Sequence, residues 1–276
     1  GRVGRSALKL LLGDFGADTG CMAHAIVAAF AACRWADRDA LMRLYVLTNG
    51  AEWQQNTNWE ATGDPCAMDK RWVGVGTVDP CDRWRDGDDC FFGRVTSVAL
   101  DFNGLRGNMT NWTAIGELTH LSHLDLGWNA LAGGLPTQLG QLTRLRSLLA
   151  PHNSLSGVLP SAIGTAHHPE HPLTEISLAH NAISGSMPAT LSVHQDLVSL
   201  DLRSNRLTGG VPSELATFGH LSSFHAADNA ALGGCLPDNI AGLTYLRHLD
   251  ISRSAVSGTI PESVGTLGLL QTLHLE

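Results

Sequence analysis

Phe102, Trp128, His152 and His180 follow one another at intervals of 26, 24 and 28 residues, and each stands directly before an asparagine. Rings brought side by side by such a spacing form an amphipathic ridge suited to a protein, peptide or carbohydrate ligand. The same offset continues into Ser204, Asp228 and Arg253. Counting further back from each asparagine gives parallel columns that hold Arg203, then Asp125, Asp201, His225 and Asp250, then His123 and His248. Imidazole beside carboxylate serves both general-base catalysis and metal binding, and His225 beside Asp250 invites either reading. No nucleophile with a positioned base and an oxyanion site can be assembled from these columns, which acyl transfer requires. The expectation is therefore a non-catalytic face with no metal and no cofactor. Because imidazoles change charge between pH 5 and 8, pH-sensitive ligand binding is the milder expectation.

Other motifs carry less. "TAHHPEHP" (165–172) gathers His167, His168, His171 and Glu170, but Pro169 and Pro172 oppose the helix that would align the histidines, so a solvated loop on the convex side is expected. "DRWRDGDDC" (82–90) packs four aspartates without the glycine and glutamate of a calcium-binding EF-hand loop and reads as a solvated acidic loop. "NMTNWT" (108–113) holds two overlapping glycosylation sequons, at Asn108 and Asn111, placed in a surface turn. Gly-rich phosphate loops and G-x-S-x-G are absent from the sequence.

The elements that must carry the ridge follow from its asparagines. Asn103, Asn129, Asn153, Asn181, Asn205 and Asn229 repeat in a frame L-x-x-L-x-L-x-x-N-x-L, with Ser254 in the seventh position. A period in the twenties with this frame is that of leucine-rich repeats. The L-x-L segment is a short strand whose leucines point inward and whose neighbours point outward. Stacked coils then join their strands into one parallel sheet, with the outward residues on its concave face. The asparagine follows the strand, where its amide can satisfy backbone groups of its own and adjacent coils. Ser254 offers only a hydroxyl, which predicts a weaker rung. In "SLDLRSNRLTGGVPSEL", Gly209 permits a tight approach and Pro212 ends strand pairing and turns the chain outward.

The tails "GGLP", "GVLP", "GSMP", "GGVP" and "GTIP" make the chain resemble the plant-type subclass of leucine-rich repeats, found in receptor ectodomains and polygalacturonase inhibitors. "ADRDALMRLYVLTNGAEWQQNTNW" with "RWVGVG" resembles that family's N-terminal cap. The resemblance, over about residues 36–276, implies an α/β solenoid: a right-handed superhelix with a parallel sheet on its concave face, a short helical or irregular convex side, and a helical N-terminal cap. Helical spacing of Leu41, Leu44 and Tyr45 predicts the capping helix over residues 37–47, with Trp53, Trp59 and Trp72 covering the core. By analogy with related caps, Cys66 pairs with Cys81 or with Cys90, and the sequence leaves that choice open. The expected division is 1–36 leader, 37–91 cap, and 92–276 seven repeats plus the start of an eighth, "GLLQTLHLE", where the chain stops short of an end cap.

Composition sets the outer bounds. Net charge is −8 and Lys9 and Lys70 are the only lysines, so a phosphate-neutralising surface for nucleic acid is excluded. No apolar run reaches the length of a membrane span. The six cysteines show no zinc spacing, and a disulfide-stapled region over 66–90 implies an oxidising compartment. "MAHAIVAAFAACRWA" (22–36) reads as a secretory signal or as a short buried helix. Cys235, alone in "LGGCLPDN", reads as a small semi-buried residue. Together these point to a secreted or cell-surface protein that recognises a protein, peptide or glycan on its concave face. The alternatives are the ectodomain of a receptor kinase, a structural matrix protein and a cytosolic scaffold.

Overall fold

The computed structural model describes residues 37–57, 59, 74–77, 94–165 and 170–276. Each L-x-L segment forms a strand. His123–Asp125, Ser147–Leu149, Glu175–Ser177, Ser199–Asp201, Ser223–His225 and His248–Asp250 lie side by side, parallel and in register. Val95–Ala99 precedes them and Thr272–His274 closes the row as the eighth parallel strand. The central residue is buried in the six full repeats, as Leu124, Leu148, Ile176, Leu200, Phe224 and Leu249. Alternation along a strand therefore sends its two neighbours to the opposite face. A ninth strand, Val75–Thr77, pairs antiparallel with Val95–Ala99 and ties the cap to the first repeat.

The strands make two sheets rather than one. A second, six-stranded parallel sheet contains Arg106–Asn108, Ala130–Gly133, Ser154–Val158, Ala182–Gly185, Arg206–Gly210 and Ala231–Gly233. This corrects the expectation of one parallel sheet. Segments after the asparagine also stack on their counterparts, and their backbone groups, otherwise unpaired, bond between coils. Gly209 lies inside such a strand, opposite Leu232, at φ +76°, a left-handed conformation that favours glycine. Pro212 comes next, and its carbonyl accepts the Leu215 amide to open a single-turn 3₁₀ helix, Ser213–Thr217.

Every repeat has such a turn, for example Thr113–Glu117, Thr137–Gln141, Ala189–Val193 and Asp238–Gly242. Each buries its middle residue: Ile115, Leu139, Leu191 and Ile240 in these four. Together the two sheets and the row of turns enclose one continuous apolar core that runs the length of the solenoid.

A helix over 37–47 covers the first coil, with Leu41, Leu44 and Tyr45 buried against Trp53 and Trp59. Tyr45 stacks on Trp59 at 5.9 Å between centroids, and Trp53 meets Trp59 edge-on at 4.8 Å. The cap is sewn to the repeats by polar bonds too. Asp37 Oδ2 accepts from the Val95 amide (2.8 Å) and from Arg94 Nε (3.0 Å), and Trp112 Nε1 donates to the Ala40 carbonyl. The leader, Trp72, the acidic loop and the disulfide candidates Cys66, Cys81 and Cys90 lie outside the described residues.

Candidate functional site

The asparagines form a hydrogen-bonded ladder behind the strand ends. Asn153 Nδ2 donates to the carbonyls of Leu126, Ala150 and Pro151, and its Oδ1 accepts from the Leu131 amide one coil back. Asn129, Asn181, Asn205 and Asn229 repeat this pattern. Asn103 instead bonds Gln55 through both its amide nitrogen and its oxygen, joining the first rung to the cap. Ser254 reaches only Ile251 O and Val256 N within its own coil. The Leu232 amide, which an asparagine there would receive, bonds Asn229 O instead. A hydroxyl on one carbon cannot span to the next coil.

The residue before each rung reverses the chain in a left-handed conformation, with φ between 50° and 56° at Phe102, Trp128, His152, His180, Ser204, Asp228 and Arg253. A left-handed non-glycine residue costs about 1 kcal/mol. The geometry is held by its amide, which bonds a carbonyl of the following coil, as Trp128 N does Pro151 O (2.8 Å) and His152 N does Ala179 O (2.9 Å). It also throws the side chain off the edge of the sheet. Phe102, Trp128, His152 and His180 stack face to face there, with centroids 4.9, 3.5 and 4.1 Å apart and planes within 18°. Phe102 is 58% and Trp128 48% exposed. Their inner faces are covered by one another, so the edges meet solvent.

Beyond His180 the column becomes ionic. Arg253 grips Asp228 with two nitrogens, and Ser204 Oγ lies 3.5 Å from Asp228 Oδ2. The Arg253 guanidinium holds the Asp228 carboxyl below its ordinary range. In the next column Arg203 folds back onto Asp201, at 2.7 Å from NH2 to Oδ2, and leaves that carboxylate largely covered. Gly127, Ala179 and Ala227, outward by count, are buried, Gly127 beside the Pro151 ring of the next coil. The accessible face is accordingly narrower than the columns imply.

The strip of His225, Asp250 and His248 sits on adjacent strands in register, with His225 opposite Asp250. His274 extends it, 3.8 Å from Asp250. Counting from asparagines missed His274, whose coil ends before its own rung; the L-x-L frame would have found it. Partial burial works to raise Asp250, but the Ser252 hydroxyl and amide and the charges of His274 and His225 outweigh it and lower the carboxyl. Partial burial lowers His225 despite Asp201 and Asp250 beside it, while Asp125 is raised by burial. His123 bonds Ser122 at 2.8 Å, and His248 bonds Thr272 at 3.0 Å. Among the described residues no three His, Cys, Asp or Glu side chains converge as a metal site.

Asn108 and Asn111 are both exposed; Asn108 ends a strand of the second sheet rather than lying in a free turn, and its Oδ1 accepts the Thr110 amide. Cys235 is exposed, not semi-buried. His167 and His168 lie outside the described residues, and His171 bonds Arg146 at the entry edge of the first sheet. Within the described residues no helix is long and apolar enough to cross a membrane.

Comparison with known proteins agrees with this geometry. Leucine-rich-repeat family models match residues 196–218 and 117–133. The structure of PEPR1 with AtPEP1 superposes with a TM-score of 0.72 at 25% identity, over 87% of this chain and 31% of that one. The GASSHO1/SCHENGEN3 ectodomain from Arabidopsis thaliana, in complex with CASPARIAN STRIP INTEGRITY FACTOR 2, gives 0.66 at 27%, over 87% and 29%. The ectodomain of the Arabidopsis receptor kinase HAESA with an IDA peptide hormone gives 0.69 at 25%, over 87% and 36%. This chain thus spans about a third of the length of those neighbours. With seven registered coils, the interlocking asparagine ladder and these neighbours, the chain folds as a leucine-rich-repeat solenoid similar to those plant receptor ectodomains.

Proposed function

We propose that this solenoid is a non-catalytic recognition module that binds an extended peptide across its concave face, outside the cell. The observation that carries the reading is the stack Phe102–Trp128–His152–His180. Four preordered rings present an amphipathic ridge whose side-chain entropy is already lost, and such rigid aromatic anchors dominate binding energy at interfaces. The stacking also favours one ligand class over another. A sugar ring packs on an aromatic face, and here the inner faces are occupied. Ring edges are the electropositive part of an aromatic and carry the indole and imidazole N–H groups, so they suit peptide carbonyls. Farther along the column, the Asp228–Arg253 pair and Arg203 would set the peptide's direction through its polar groups, with His123, Asp125, His225, His248 and Asp250 beside its path. The three named neighbours support the class, since each is a complex with a peptide or factor named in it. They also support a receptor ectodomain as the setting, over a purely structural matrix role.

The test is selection of a displayed random-peptide library on the chain, with a glycan array alongside. Selected peptides should lose roughly 30-fold or more in affinity for Trp128→Ala, the scale of an aromatic hot spot. Peptides that bind a Trp128→Ala/His152→Ala double variant as tightly as the parent would sink the reading. Saturable glycan binding without peptide binding would do so equally.

A further inference from the structure

A cavity lies at the opposite edge of the first sheet, where the chain enters its strands. Leu145 is buried in the core, while Arg144 on one side of it is half-buried and Arg146 on the other is exposed. With His120, His123, His171 and Ser122 they line an open cavity of about 310 Å³. The residues come from three successive coils, so none of their sequence spacings announces the site. Arg146 donates to the Glu170 carbonyl (3.3 Å) and meets His171 Nδ1 (3.2 Å), which fixes the guanidinium at the rim. Ser122 Oγ donates to the Thr96 carbonyl (2.8 Å) and holds His123 Nδ1 at 2.8 Å. Among the described lining residues there are two guanidiniums and three imidazoles and no carboxylate.

We propose that this cavity binds an oxyanion, as a free tetrahedral ion or as an acidic group carried on a larger ligand. Guanidiniums present paired N–H donors that match carboxylate, sulfate and phosphate geometry, and the imidazoles supply further donors. Partial burial first, and then the positive charges of Arg94 and Arg144, lower His120 to about 4. The cavity is larger than a single ion needs, and His123 belongs both to its lining and to the outward column of the sheet, so a group reaching in from a ligand on that face has a continuous path.

The experiment titrates the full chain with sodium sulfate, and separately with N-acetylglutamate, at constant low ionic strength, because screening weakens exposed charge interactions. Imidazole C2–H resonances report occupancy. Saturable shifts at His120, His123 and His171 are expected, with the His120 midpoint moving up toward its ordinary value. Arg144→Gln/Arg146→Gln should weaken binding at least tenfold, while Arg247→Gln, the strand-entry arginine of another coil, leaves it unchanged. Tighter binding of N-acetylglutamate than sulfate assigns the carried acidic group; the reverse assigns the free ion. Shifts that never saturate in the parent chain overturn the proposal, whatever the variants do. So do equal affinities in the parent and in a double variant with parental circular dichroism. Both probes are small anions rather than peptides, so failure here leaves the ring-edge reading standing, and failure of that reading leaves this site testable.

Discussion

Replacing Asn205 by alanine tests the asparagine ladder directly. The side chain is 8% exposed. Its Nδ2 donates to Leu178 O (2.9 Å), Leu202 O (3.1 Å) and Arg203 O (3.2 Å), and its Oδ1 accepts from the Ile183 amide at 2.9 Å. Alanine removes all four contacts and leaves the buried Ile183 N–H without this acceptor, a loss of about 1–3 kcal/mol. Two amide protons lost from carbonyl acceptors add about 1 kcal/mol each, so about 3–5 kcal/mol is expected in total. Ser254→Ala is the internal control. Its hydroxyl bonds only within its own coil, and about 0.5–1 kcal/mol is expected. Urea unfolding gives the difference. Because coils of a solenoid can open separately, amide hydrogen exchange should accompany it, and the Ile183 amide should lose protection first. Asn205→Asp keeps an acceptor but turns a carboxylate toward three carbonyl oxygens, and should be at least as harmful. A loss below about 1 kcal/mol for Asn205→Ala, or unchanged exchange at Ile183, would refute the view that the rungs hold adjacent coils together.

Asp37→Ala should detach the cap: it strips an acceptor from the buried Val95 amide and from Arg94, a loss of about 2–3 kcal/mol, visible as faster proteolysis within residues 37–47. Acid should weaken the fold through His120. Its folded-state value near 4 lies below the ordinary 6.5, so the unfolded chain binds the proton more readily, and the histidine's contribution is complete above pH 6.5 and declines as pH falls toward 4. His120→Gln should flatten the pH dependence of the urea midpoint in that window; an unchanged slope would count against it. Gly164→Ala would drive its new methyl onto the Thr190 carbonyl of the next coil and should cost about 1–3 kcal/mol in thermal unfolding, whereas Gly265→Ala, at the equivalent position with open space around it, should be close to neutral.

Much of the molecule was legible in its residues, for a particular reason. A strand alternates strictly, and coils of nearly constant length turn an offset in sequence into a lateral neighbour in space. The L-x-L frame therefore determined the strands, their parallel register and which residues share a column, so that Phe102, Trp128, His152 and His180 could be placed in one row by counting. Counting could not reveal that their rings stack face to face, because that depends on the left-handed backbone before each asparagine. Nor could it show that Gly127, Ala179 and Ala227 are buried, or that Arg203 covers Asp201. The second sheet was hidden because its segments pair through backbone groups, which leave little trace in side-chain pattern. The cavity around Arg144 and Arg146 is assembled across three coils, outside the repeating frame, and Gly164 and Gly265 look alike until one of them has a carbonyl stacked against it. Local periodicity determined what each coil is; only the stacking of coils, where distances of a few ångströms between distant residues are decided, determined what each surface can touch.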